Sequence, residues 1–161
     1  MMKQMTMDDK KIEDAAKDFF FTFSKFEYAL KAAGFVKTRD RDTAEVDWNK
    51  FKITLADVTI DENEDSFVRY FKGDAPRRQI LKDCQLQEGA SYKVTTAEEC
   101  LNACCTLRNN LFHGEKMRPI SSTSNRERNY KLLVAGKKIV EQIIRKAGSP
   151  IGSRYDDATL K

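Results

Sequence analysis

Ile12, Ala16, Phe19, Phe23, Phe26 and Leu30 recur at spacings that alternate between four and three residues, so one stripe of a single long helix carries them all. Phe20 and Tyr28 widen the stripe, and Phe19, Phe20 and Phe21 together point in nearly every direction around the axis. So broad an apolar surface needs a large opposing layer, which makes this helix the centre of any fold the chain adopts. The pattern runs from Asp8 to Ala33, with Asp8 and Asp9 suiting the positive start of the helix and Gly34 its stop. Core packing alone would cover one face. The breadth of the aromatics favours core on one side and contact with a second copy on the other.

Two more long helices are legible. Thr95-Thr96-Ala97-Glu98-Glu99 holds a capping box in either register, and the helix it opens carries Cys100, Leu101, Cys104, Leu107 and Leu111 on its apolar face. Gly114, directly after His113, reads as its stop. Ser124-Asn125-Arg126-Glu127 is a second capping box. The last helix it opens has Tyr130, Leu133, Val134, Ile139, Val140, Ile143 and Ile144 on its apolar side and ends at Gly148-Ser149-Pro150. Residues 151–161 are expected to form a polar, poorly ordered tail.

The stretch from Thr38 to Ala75 is less regular and acidic, with ten acidic residues against six basic ones. Short helices are expected at Asp47–Ala56 and near Glu64–Lys72, and a further one starting at Pro76, while Ile53, Leu55, Val58 and Ile60 leave a short strand open. The expected architecture is therefore all-α: a bundle of three long helices plus short ones, forming one domain over residues 1–150. Only 7 Gly and 3 Pro among 161 residues argue against a sandwich or barrel of many short strands.

Composition narrows the function classes. Apolar residues make up 40% and charged residues 34%, as in ordinary globular chains. The longest uncharged stretch, Cys100–Leu107, is too short to span a bilayer, so no membrane association is expected. The start, MMKQMTMDDKK, lacks a signal core, which points to a cytoplasmic address. Cys84, Cys100, Cys104 and Cys105 include no second metal-ligand pair, and helix-borne cysteines most often act as small core residues, so buried thiols are expected rather than a metal or disulfide. The single His excludes multi-histidine metal sites and any chemistry that needs two histidines from one chain.

That His closes the segment Arg108-Asn109-Asn110-Leu111-Phe112-His113-Gly114-Glu115-Lys116. Five residues advance about 500° on a helix, so Arg108 and His113 lie about 140° apart in projection, flanking one edge of the helix end. They converge only on something beside that end, such as a facing helix or a second chain. The pair suits a phosphodiester: Arg offers a planar fork of donors to phosphate oxygens, and His exchanges protons near neutrality with a ribose 2′-hydroxyl or a leaving oxygen. Asn109 adds a neutral group to orient the His, the phosphate or a water. A His that merely caps a helix fits the bare spacing as well.

RNNLFHG on a late helix, preceded by the aromatic FFFTFSKFEYALKAAGF, resembles the HEPN family (higher eukaryotes and prokaryotes nucleotide-binding domains). The family signature is an Arg, four to six residues, then His, often with a polar residue after the Arg; Arg108, Asn109 and His113 match it position by position. The resemblance spans roughly Asp8 to Ala147 and implies a HEPN-like helical bundle. It also implies a metal-independent endoribonuclease without cofactor, with Arg108, Asn109 and His113 at the catalytic site, or else a non-catalytic nucleotide- or RNA-binding module. In ribonuclease-like members the motifs of two subunits meet at a dimer interface, so a homodimer would supply the second acid/base group that one chain lacks. Toxin or defence roles are implied too, with an antitoxin or a nucleotidyltransferase as possible partner. Some antitoxin-paired members carry Tyr two residues after the His, where this chain has Glu115, and the acidic insert 38–75 matches no feature of the family.

Charge is compatible with RNA as partner. Residues 118–146 hold eight basic and two acidic residues, a local charge of +6 beside the motif. Lys116 and Arg118 lead the expected RNA contacts, followed by Arg126 and Arg128. A merely solvated helix face would show the same run of charge.

Overall fold

A computed structural model describes residues 7–63, 65–112 and 123–159 of the chain. It is mainly helical. In chain order the elements are α1 (Met7–Ala32), β1 (Val36–Thr38), β2 (Ala44–Val46), α2 (Trp48–Ile53), α3 (Ser66–Gly73), β3 (Gln79–Lys82), β4 (Gln85–Glu88), α4 (Ala97–Phe112), α5 (Thr123–Lys146) and α6 (Ser149–Asp157). The three long helices thus stand where the apolar periodicity places them.

Phe19, Phe23, Phe26 and Leu30 of α1 are fully buried against α5, α4 and the α2 segment. Their rings continue into Trp48 and Phe51, with Phe26 and Phe51 edge to face at 5.7 Å. α1 ends in a left-handed turn: Gly34 has φ of +95°, its N–H donates to Lys31 O at 3.1 Å, and the Phe35 N–H donates to Leu30 O at 2.9 Å. The same turn delivers Phe35 onto Phe51, at 5.3 Å between centroids. The long helices meet at Gly136 of α5, where a Cβ would come within 2.9 Å of both Leu107 and Phe19. Only a residue without a side chain lets them approach so closely.

The insert 38–75 is fastened to α5. Buried Gln142 accepts from the Asp61 N–H at 2.8 Å and donates to the Asp61 carbonyl at 2.9 Å. Lys138 pairs with Asp65, the N-cap of α3, and Lys146 donates to the Thr59 carbonyl at 2.5 Å. The acidic stretch is therefore the counter-surface of the basic helix.

Several local expectations are corrected. Pro76 begins no helix; residues 79–88 form an antiparallel hairpin, with Leu81 opposite Leu86, whose base is closed by the Gly89 N–H on the Arg78 carbonyl. A second antiparallel hairpin pairs Val36 with Val46, and no strand forms over Ile53–Ile60. The all-α expectation thus holds for the long elements and gives way at two small hairpins. Residues 149–157 are not a loose tail: Gly148, at φ +102°, turns the chain into α6, which lays Ile151 and Tyr155 on α1. Ile151 is buried and Lys25 sits 4.3 Å over the Tyr155 ring. One isoleucine and one tyrosine a helical turn apart suffice to dock so short a helix on a flank of α1 that α4 and α5 leave open.

Candidate functional site

α4 is set by its cap and its core face. Glu99 accepts from the Thr95 and Thr96 N–H groups at 2.7 and 3.1 Å, and Thr96 Oγ1 accepts from the Glu99 N–H at 3.1 Å. Both registers of the capping box are thus used by one carboxylate. Cys100, Leu101, Cys104 and Leu107 are buried, which fixes the rotation of the helix and the direction in which its last turns project.

Arg108 leaves α4 toward α1. Its Nη2 lies 3.3 Å from Glu27 Oε1, and its guanidinium sits 5.3 Å over the Phe23 ring. The two side chains remain 26% and 29% exposed, so solvent reaches the pair. Arg108 Nε is buried without a hydrogen-bond partner among the described residues. Burial pushes the Glu27 carboxyl above its ordinary value, against the opposing pull of Arg108 and Lys31. Cys105, one turn before Arg108, is raised by burial to about 11 even though Arg108 pulls it down.

The neighbouring asparagines divide. Asn109 is exposed near the end of α4. Asn110 is buried and donates to the Arg77 carbonyl at 3.0 Å, which anchors the helix to the base of the hairpin over residues 79–88. His113, Lys116 and Arg118 lie outside the described residues.

Arg126 and Arg128 are engaged within the chain. Arg126 pairs with Asp9 of α1 at 3.1 Å. Arg128, only 12% exposed, donates through Nε to Asp74 Oδ2 at 3.2 Å and through Nη2 to the Ala75 carbonyl at 3.2 Å. Asp74 also accepts from Arg77 at 2.9 Å and Ser91 at 3.3 Å. Burial works against its charge, yet the hydrogen bonds from Arg128 and Arg77 hold Asp74 below its ordinary value. Both arginines expected to contact RNA thus have carboxylate partners inside the fold. Further along α5, Lys131 pairs with Glu127, Lys137 with Glu141 and Lys138 with Asp65. Much of the basic run thus has carboxylate partners inside the fold.

Grooves of 450 Å3, against Arg78, Tyr92, Lys93 and Asn102, and of 750 Å3, against Lys52, Ile53 and Lys72, are lined by neither Arg108 nor Glu27. Cys84 is exposed and unpaired, Cys100 and Cys104 are buried. Among the described residues no cluster of His, Cys, Asp and Glu is placed to hold a metal ion, and no helix is long and apolar enough to cross a membrane. No family model, no curated protein and no solved structure matches the chain.

Sequence reasoning missed Glu27 and Asp74. Glu27 stands one turn after Phe23, at the border of the apolar stripe, and that position was the available signal. Asp74 carried none, since its arginines come from distant parts of the chain.

Proposed function

We propose that the chain is a metal-independent endoribonuclease built on a HEPN-like helical bundle. The observation that carries this reading is Arg108: five residues before the only His of the chain, half-exposed at the end of α4 and set against a half-buried carboxylate. Perturbed ionisable groups gathered at one solvent-reachable edge are a mark of reactive sites. The ribose 2′-oxygen attacks its own phosphorus, Arg108 stabilises the charge that develops on the phosphate oxygens, and His113 exchanges the proton of the reacting oxygens. The products are a 2′,3′-cyclic phosphate and a 5′-hydroxyl. Asn109 orients the phosphate or the imidazole, and Lys116 and Arg118 follow the RNA backbone. In a cytoplasmic homodimer two such motifs face one cleft, and a toxin or defence role with an antitoxin or nucleotidyltransferase partner fits such an activity.

The test is incubation of purified protein with mixed cellular RNA in excess chelator, beside His113→Ala and Arg108→Ala. Cleavage by wild type alone, leaving cyclic-phosphate ends, supports the reading. A His113→Ala protein that loses RNA affinity in a system without cleavage points to a binding module, and one that loses only stability points to a structural His.

A further inference from the structure

Cleavage by 2′-hydroxyl attack needs two proton-transfer groups, a base for the 2′-oxygen and an acid for the 5′-oxygen, and this chain has one His. We infer that Glu27 of α1 is the second group, the general base that takes the 2′-hydroxyl proton. The inference rests on the ribonuclease reading.

Position is the first ground. Glu27 Oε1 is 3.3 Å from Arg108 Nη2, and both side chains reach solvent. An arginine has five N–H donors in a fork, and Glu27 faces only one nitrogen of it. A phosphate held by the remaining outward donors therefore brings its own ribose beside the Glu27 carboxylate. The Phe23 ring under the guanidinium keeps the fork from swinging away from α1. The second ground is basicity. Charged and titratable neighbours of Glu27 are Arg108 and Cys105 on α4 and Lys31 on α1; burial outweighs the two cations and leaves the carboxyl a stronger base than an ordinary Glu.

The step balances without metal or cofactor. The 2′-O–H proton passes to the Glu27 carboxylate as the 2′-oxygen bonds to phosphorus. The bond from phosphorus to the 5′-oxygen breaks, and that oxygen takes a proton from the imidazolium of His113. The carboxylic acid and neutral imidazole then exchange protons with water.

The test follows cleavage of a single-stranded RNA in chelator across pH for wild type, Glu27→Gln and Glu27→Asp, with RNA affinity and thermal unfolding measured beside it. Gln keeps a polar partner for Arg108 but cannot take the proton. The expected result is a fall of about 100- to 10,000-fold in cleavage for Glu27→Gln with RNA affinity retained, together with loss of the limb on which the rate rises with pH. Glu27→Asp keeps that limb at a reduced rate, which secures the test should the Gln variant fold poorly. A Glu27→Gln protein that cleaves within about threefold of wild type, on the same pH profile, overturns the inference and leaves the ribonuclease reading standing. A folded wild type that cleaves nothing removes both.

Discussion

Gln142 sits buried in the middle of α5 and pairs both ends of its amide with the backbone of Asp61, accepting at 2.8 Å and donating at 2.9 Å. The side chain replaces a strand: it satisfies one residue of an irregular segment as a neighbouring backbone would. Gln142→Leu keeps the volume and strands an N–H and a carbonyl at Asp61. The expected loss is about 2–4 kcal/mol, measured by urea unfolding, from two unmet backbone groups. A loss under about 0.5 kcal/mol would show that water reaches Asp61 freely.

Gly136→Ala tests the packing of the long helices. Alanine is the better helix former by about 1 kcal/mol. Its methyl, however, would stand 2.9 Å from Leu107 and from the Phe19 ring, both buried. Overpacking of this kind costs about 1–3 kcal/mol, so a lowered melting temperature is expected despite the gain in propensity. An unchanged or raised one would mean that the junction has room to spread.

Acid should loosen the Asp74 cluster. The folded pKa of this carboxyl lies below its unfolded one, so in the interval between them the unfolded chain binds more protons. Its contribution to stability is complete above the ordinary aspartate value, about 3.9, and is lost as pH falls through the folded value. Wild type and Asp74→Asn should therefore differ near neutrality and converge in acid, as followed by chemical unfolding at a series of pH values. Arg128→Ala should reproduce part of the neutral-pH loss, because Arg77 still holds the carboxylate.

Thiol titration of the native protein with a chromogenic disulfide should count one fast-reacting cysteine, Cys84. Burial raises Cys100 and Cys105 to about 11 and holds Cys104 well above its ordinary value, so little thiolate forms on them at neutral pH. In denaturant all four should react. Two or more fast thiols in the folded state would contradict the packing of α4 against α5.

The long helices were legible because their apolar residues repeat with the helical period and their ends carry chemistry: Thr96 and Glu99 open α4, and Gly34 closes α1. The hairpins were not, because their turns rest on Arg41, Asp42, Asp83 and Cys84 at positive φ, where a glycine or an Asn-Gly pair would have announced them. α6 has too few apolar residues to show a period, and the flank of α1 that receives it becomes visible only in three dimensions. Arg108 could be singled out from its spacing to His113. Its neighbour Glu27 could not, since nothing local ties residues on the first and fourth helices.

The pairing of the α5 cations with carboxylates of α1, of α5 itself and of the acidic insert bears on how any polyanion would arrive. Arg126, Arg128, Lys131, Lys137 and Lys138 each face a carboxylate, and Lys146 rests on the Thr59 carbonyl and Gln142. Charges cancelled at contact distance project little field beyond one Debye length, about 8 Å in physiological salt. Long-range steering toward this face is weak, so the rate of encounter there should vary little with ionic strength, and discrimination has to happen at touching distance.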